Sequence, residues 1–92
     1  MLTIKFQKTF KKDIKRIRKR GYDLSLMEDV VNKLSEEQKL DERYHDHELT
    51  GEWKNFRECH ITSDWLLVYR IDGNELILFL SRTGTHSDLF GL

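Results

Sequence analysis

Residues 65–74, with the sequence WLLVYRIDGN, join a run of apolar side chains to a tight-turn signal. Positions 65–69 are apolar at both parities, which is typical of a central strand that is covered on both faces. Asp72-Gly73-Asn74 follows at once, and an Asp-Gly pair tolerates the positive φ angles of a hairpin turn. The stretch therefore predicts a central strand that turns back into an antiparallel neighbour.

Two further β-like runs flank this strand, at about 54–61 and 75–82. Thr62-Ser63-Asp64 separates the first run from the central strand, as expected of a second turn. Near the N-terminus, apolar and polar residues alternate, which predicts a short strand with one apolar face. Its apolar positions are Leu2, Ile4 and Phe6.

Two helices are predicted between the first strand and the later ones. The apolar stripe of the first helix is Phe6, Phe10, Ile14 and Ile17. Gly21 is placed to end that helix, and Ser25 with Glu28 forms a capping-box signature for the next. The apolar stripe of the second helix is Met27, Val30, Val31 and Leu34. We therefore expect a helical hairpin in which each helix buries one stripe.

The predicted order is β-α-α-β-β-β, which indicates an α+β fold. We expect an antiparallel-rich sheet with the helical hairpin packed on one face. The chain of 92 residues has no proline, and no internal repeat or low-complexity linker interrupts it. Residues 1–92 are therefore expected to form a single domain.

Charge is segregated along the chain although its net value is zero. Residues 1–20 contain nine Lys or Arg and one Asp, a net of +8, so the remainder carries −8. A basic helix can attract a polyanion such as RNA, because phosphate contacts respond to local potential. A solvated helix face is the alternative. The candidate RNA-contacting positions are Lys11, Lys12, Lys15, Arg16 and Lys19.

The sequence favours a cytoplasmic protein with no membrane contact. No apolar run approaches the ~18 residues that a spanning helix needs. The first ten residues lack the continuous apolar stretch of a secretory signal. The single cysteine, Cys59, cannot form an internal disulfide, which agrees with a reducing compartment.

All four histidines follow the helices and stand near predicted turns or strand ends. They are His45, His47, His60 and His86. Imidazole takes and gives protons near neutral pH, so a group of histidines suits general acid–base chemistry. Two alternatives, a metal site and a thiol nucleophile, are weaker. No recognised zinc-ligand spacing is present, so no metal or other cofactor is expected. Cys59 and His60 point to opposite faces of a strand, so we expect Cys59 in the core.

Arg82-Thr83-Gly84-Thr85-His86 follows the last predicted strand. The glycine allows a sharp turn, so that Arg82 and His86 can converge on one spot. Cleavage of a phosphodiester needs such a pair, because a guanidinium stabilises the charge on the phosphorane and an imidazolium protonates the leaving oxygen. A polar C-terminal turn is the alternative explanation.

Several motifs together resemble the YafQ branch of the RelE/ParE toxin superfamily. They are His45-Asp46-His47-Glu48-Leu49-Thr50-Gly51-Glu52-Trp53, Arg57-Glu58-Cys59-His60, Asp64-Trp65-Leu66-Leu67-Val68-Tyr69, and Arg82-Thr83-Gly84-Thr85-His86-Ser87-Asp88-Leu89-Phe90-Gly91. The resemblance covers most of residues 44–92. The N-terminal part is similar only in its strand, two helices and basic first helix.

The resemblance implies the toxin of a type II toxin–antitoxin system. Such a protein is a metal-independent, ribosome-dependent endoribonuclease that cuts messenger RNA by attack of the 2′-OH on the adjacent phosphate. A cognate antitoxin silences it; the free toxin is expected to be a monomer and the complex a higher assembly. By the same resemblance, Arg82 stabilises the phosphorane, His86 is the general acid and Phe90 holds RNA. Base and orienting roles fall to His47, His60 and Asp64.

Two alternatives remain open at the level of sequence. One is a ParE-like toxin that inhibits a topoisomerase and cuts nothing, which would not need His60, Asp64 and His86. The other is a non-catalytic module that only pairs with a partner protein. The sequence also leaves open which residue takes the 2′-OH proton and what codon is preferred. The antitoxin is expected to cover either the basic first helix or the active-site groove. No role is assigned to His45.

Overall fold

A computed structural model describes residues 1–91. Its sheet contains five strands, and three α-helices and two 3-10 helices accompany it. The strands are β1 (Thr3–Phe6), β2 (His47–Glu48), β3 (Arg57–Thr62), β4 (Trp65–Asp72) and β5 (Ile77–Gly84). The α-helices are α1 (Lys8–Lys19), α2 (Leu24–Ser35) and α3 (His86–Phe90), and the 3-10 helices are Glu42–Tyr44 and Gly51–Trp53. The predicted α+β class is confirmed.

The strand order in the sheet is β1-β5-β4-β3-β2. Only the β1–β5 pair is parallel, so the sheet is antiparallel-rich as predicted. The five apolar residues that begin β4 are at most 2% exposed, which confirms a central strand covered on both faces. The hairpin between β4 and β5 is confirmed too, although β5 begins at Ile77, two residues later than expected.

The helical hairpin packs on one face of this sheet. Its apolar stripes join the odd-numbered residues of β4 in one buried cluster, which includes Phe10, Ile17, Val30, Leu67 and Leu78. The whole predicted stripe of α2 is buried. This packing leaves the opposite face of the sheet to form a functional surface.

Helix α1 also closes the edge of β5. Strand β1 pairs with β5 only as far as Leu80, so the last residues of β5 have a neighbouring strand on the β4 side alone. The Thr9 hydroxyl donates a hydrogen bond to the Ser81 carbonyl, and the Asp13 carboxylate accepts one from the Thr83 amide. Side chains of α1 thus satisfy backbone groups that an open sheet edge would leave unpaired.

Three details of the prediction are wrong, each for a local reason. Phe6 does not belong to the apolar stripe of the first helix, because α1 begins only at Lys8. It is the last residue of β1 and is 54% exposed. The N-cap of α2 is Asp23, whose carboxylate accepts hydrogen bonds from the amide and hydroxyl of Ser25. Strand β2 and helix α3 are missing from the prediction, because they are too short for their periodicity to be visible in the sequence.

No helix within residues 1–91 is both long enough and apolar enough to span a bilayer.

Candidate active site

The register of the sheet places one residue from each of four strands in a single row. His47 pairs with Glu58, Glu58 with Val68, and Val68 with Arg82. Directly opposed residues of antiparallel strands share a face. In the next row, His60 pairs with Leu66. Two of the predicted histidines and the predicted arginine therefore share the face that the helices leave free.

A buried carboxylate lies between the two histidines of this face. Glu58 is 5% exposed, and its Oε1 atom lies 3.4 Å from His60 Nε2 and 3.7 Å from His47 Nε2. A buried carboxylate is costly unless positive charge or hydrogen-bond donors face it. The arrangement therefore suits imidazoles that carry a proton during part of a reaction cycle.

The orientation of His47 is set by a neighbouring carbonyl. His47 Nδ1 lies 2.7 Å from the backbone oxygen of His45, and a carbonyl can only accept, so Nδ1 carries the hydrogen. The Nε2 atom is thereby directed towards Glu58. His45 has φ of +48°, in the left-handed region that non-glycine residues seldom adopt, and its ring packs edge-on against His60 at 5.4 Å between centroids.

Helix α3 carries His86, which hydrogen bonds to Asp64 in the turn between β3 and β4. Asp64 Oδ1 accepts hydrogen bonds from the His86 amide at 3.0 Å and from Nδ1 at 2.6 Å. Those bonds, that of the amide first, lower the pKa of Asp64. Because Nδ1 is engaged, the Nε2 atom of His86 is the one left for chemistry. The His60 and His86 rings lie 5.5 Å apart.

The sharp turn before α3 depends on Gly84. This residue has φ of +151°, and a Cβ atom there would lie 2.8 Å from an Asp88 carboxylate oxygen. Asp88 completes a capping box with Thr85, and Arg20 of the α1 C-terminus binds it through two hydrogen bonds of 2.6 and 2.9 Å. The Arg20 guanidinium, more than any other group, holds the pKa of Asp88 well below its usual range. The basic helix thus anchors the segment that carries His86.

Arg82 is fixed by a residue that the sequence analysis missed. Asp13 of α1 is 2% exposed and accepts bonds from Arg82 Nε at 2.7 Å and from Nη2 at 3.1 Å. The hydrogen bond with Asp13 is the main cause that raises the pKa of Arg82. The Nη1 atom has no hydrogen-bond partner within residues 1–91, so it can still donate to a phosphate. A lone Asp in a run of Lys and Arg gave no signal of its own.

Relatives of known structure share this chain's fold over nearly its full length. A family profile described as the bacterial toxin of a type II toxin–antitoxin system, YafQ, matches residues 2–91. The chain belongs to the YafQ toxin family. Membership confirms the resemblance found in the sequence and the toxin class that it implied.

Individual YafQ-family proteins agree with the profile. The chain is 35% identical over 89 residues to the mRNA interferase toxin YafQ of Escherichia coli K12, covering 96% of this chain and 95% of that protein. A metal-bound toxin from Helicobacter pylori is 52% identical, with a TM-score of 0.92 over 98% of this chain and 100% of that one. YafQ in the E. coli DinJ–YafQ complex is 34% identical, with a TM-score of 0.89 over 99% and 100% of the chains.

The predicted RNA-contacting residues do not all lie on one side of the molecule. Phe90 lies half-buried on α3, the helix that carries His86, with its ring 6.3 Å from that of Trp53. Arg16 is on the same side, since it approaches Asp88 at 3.8 Å. Lys11 and Lys15, however, line an apolar groove on the other side of α1. All five basic residues are exposed.

The geometry bears on two other possibilities from the sequence, a thiol nucleophile and a metal site. Cys59 is fully buried on the helical side of the sheet, and burial raises the pKa of its thiol, so it is a core residue as predicted. Ligand atoms of Glu58, His60 and His86 lie within 4.8 Å of one another. Imidazole nitrogen and carboxylate oxygen are ligands that Zn²⁺ and Cu²⁺ accept, so these residues fit a transition metal. Glu58, to which the sequence assigned no role, is the carboxylate of this cluster.

Proposed function

We propose that this chain is an mRNA interferase that cuts messenger RNA on the ribosome and that a cognate antitoxin silences it. The observation that carries the proposal is the pair of imidazoles of His60 and His86, 5.5 Å apart on one face and each set against its own carboxylate. A general base and a general acid that flank one phosphodiester are what cleavage through the 2′-OH requires.

His60 is the general base in this proposal. Its Nε2 atom faces Glu58, so Nδ1 is left to take the proton from the 2′-OH of the RNA. The 2′ oxygen then attacks the adjacent phosphorus, and the P–O5′ bond breaks. The products are a 2′,3′-cyclic phosphate and a free 5′-hydroxyl. Glu58 stabilises the imidazolium that forms, and His47 adds a second imidazole beside the same carboxylate.

His86 is the general acid. Asp64 holds its Nδ1 atom, and the opposite nitrogen, Nε2, donates the proton to the departing 5′ oxygen. Arg82 stabilises the phosphorane through Nη1, while Asp13 keeps the guanidinium plane fixed. Phe90 offers a ring on which a base can stack. No step needs a metal.

A transition metal bound to Glu58, His60 and His86 would compete with this chemistry. The H. pylori relative was crystallised in a metal-bound form. In this chain such an ion would occupy the imidazole lone pairs that carry protons in cleavage. We propose inhibition as its effect.

The exposed cations of α1 serve to dock the toxin on ribosomal RNA. Helix α1 has none of its lysines in an ion pair within residues 1–91, so their charge is available to phosphate. Its acidic residue, Asp13, forms an ion pair with Arg82. A docking surface of this kind makes binding weaken steeply as the salt concentration rises.

The antitoxin binds the groove between β1, α1 and α2. This groove has a volume of about 510 Å³ and a mostly apolar lining that also contains three cations and one acidic residue. The apolar lining includes Ile4, Phe6, Ile14 and Met27, the cations are Lys11, Lys15 and Arg18, and the acidic residue is Glu28. An amphipathic segment with acidic flanks is complementary to it. The E. coli relative was crystallised with its DinJ partner.

The test is induction of the wild type, of His86→Ala and of the matched control Ser87→Ala in bacteria. Growth is recorded, and the 5′ ends of a reporter messenger are mapped by primer extension. We expect arrest with new, codon-phased ends for the wild type and the control, and a loss of cleavage of about 10²–10⁴-fold for His86→Ala.

Each other outcome points to one of the alternatives. Growth arrest without new RNA ends would favour a topoisomerase inhibitor, and no arrest would favour a non-catalytic interaction module. Circular dichroism of His86→Ala excludes unfolding as the cause of its loss. A folded His86→Ala variant that cuts normally would overturn the assignment of the acid.

A further inference from the structure

One aromatic–cation pair lies on the same sheet face as Glu58 and Arg82 and has no part in the chemistry above. The guanidinium of Arg70 lies over the ring of Phe79, with its central carbon 4.2 Å from the ring centroid. Both residues are half-buried. Phe79 does not belong to the hydrophobic core between sheet and helices. The pair therefore lies outside that core, as directly opposed residues of β4 and β5.

The register shows that this pair faces the same way as the catalytic residues. Arg70 follows Val68 by two positions on β4, so the two side chains share a face about 7 Å apart. Strand β5 has one extra residue opposite the Val68–Tyr69 step, where the partners change from Arg82 to Leu80. This bulge brings Phe79 opposite Arg70 and Arg82 opposite Val68, on one face despite their odd spacing.

The guanidinium of Arg70 is left available by its neighbours. Arg70 lines a groove of about 830 Å³ with Lys54 and Phe56, and two acidic residues lie along the same groove. Glu48 pairs with Arg57 at 3.5 Å, and Asp72 accepts bonds from the amides of the turn that follows it. No carboxylate within residues 1–91 lies within ion-pair distance of Arg70.

We propose that Arg70, backed by Phe79, is a stacking subsite for a nucleotide of the RNA that flanks the scissile phosphate. This inference rests on the proposed function, since the subsite continues the same sheet face one row away from Glu58. A planar guanidinium held against an aromatic ring offers its free face to a base and its N–H groups to a phosphate. Lys5, which pairs with Phe79 on β1, and Lys54 add positive charge on either side.

The test measures binding of a fluorescent single-stranded RNA oligonucleotide by anisotropy, with every variant made in the His86→Ala background so that no RNA is cut. We expect Arg70→Ala and Phe79→Ala each to weaken binding about 5- to 100-fold, the cost of one lost stack. Arg70→Lys retains the charge and loses the plane, so it should weaken binding nearly as much as Arg70→Ala. Lys39→Ala, which removes an exposed cation elsewhere, is the control for net charge.

A second series replaces single bases of the oligonucleotide by abasic sites. In the parent protein one position should show a marked loss of binding, and Arg70→Ala should remove that dependence. If Arg70→Lys binds like the parent, or if no abasic position couples to Arg70, the stacking subsite is wrong. That failure is separate from failure of the proposed function, because the role of His86 is measured by cleavage and the subsite by binding.

Discussion

Two carboxylates serve the candidate active site in opposite surroundings. Glu58 is buried in the middle of the sheet, with a side chain that is 6% exposed. The Nε2 atom of His60 lies 3.4 Å from its carboxylate and that of His47 lies 3.7 Å away. Asp64 is 61% exposed at the end of the sheet and accepts two hydrogen bonds from His86, at 3.0 Å from the amide and at 2.6 Å from Nδ1. We expect Glu58 to act through its charge in a buried setting and Asp64 to act through hydrogen-bond geometry at the surface.

The difference decides how much each carboxylate can contribute to catalysis. Electrostatic attraction between charges is several times stronger in a buried setting than at a hydrated surface. We therefore expect the charge of Glu58 to stabilise the imidazolium of His60. We expect Asp64 to contribute chiefly by selecting the tautomer and direction of His86.

The largest effect expected from this comparison is that of Glu58→Gln. The amide has the same shape but no charge, so the imidazolium of His60 loses its counterion. We expect single-turnover cleavage in a reconstituted translation reaction to fall about 10²-fold. Glu48→Gln is the matched control, because Glu48 lies on the neighbouring strand with a side chain that is 82% exposed. A folded Glu58→Gln variant that cleaves like Glu48→Gln would remove Glu58 from the site.

Metal binding examines the same buried carboxylate by another route. Toxin stripped of metal with EDTA and then dialysed should cut at an unchanged rate, because side chains carry all the proton transfers. Added Cu²⁺ should inhibit the wild type, and Glu58→Gln should require at least about tenfold more Cu²⁺ for the same binding, measured by spectroscopic titration. Loss of cleavage on stripping, restored by metal, would contradict the acid–base proposal.

The contrast between these carboxylates also shows what a sequence can reveal. The order of long elements, the central strand and the basic helix follow from local patterns, and His86 stands out beside its glycine turn. Asp13 does not, because its partner Arg82 lies 69 residues further along the chain and only helix packing brings the two together. Glu58 does not either, because its burial and its approach to His47 depend on the register of β2 and β3. The bulge at Ser81 reverses the side-chain parity of β5, so no alternation rule could place Arg82 and Phe79 on one face.

A smaller effect is expected from Asp64→Asn. The amide oxygen can still accept from the His86 amide, so α3 stays in place, but the negative charge beside the ring is lost. We expect cleavage to fall about tenfold, less than for Glu58→Gln, because water screens the exposed pair. Ser63→Ala in the same turn is the control. A larger loss for Asp64→Asn than for Glu58→Gln would reverse the ranking of the two carboxylates.

The smallest effect is the contribution of Asp64 to stability, and it depends on pH. Hydrogen bonds from the His86 amide and ring lower the pKa of Asp64 below its ordinary value near 3.8. A carboxyl whose pKa is lowered by folding contributes stability that is fully present above the unfolded pKa and is lost as pH falls through the folded one. The melting temperature of the wild type should therefore exceed that of Asp64→Asn at neutral pH, and this small difference should vanish in strong acid. Thermal melts of both proteins across that range test the sign: a difference that persisted or grew in acid would show that the ionised carboxylate does not hold His86.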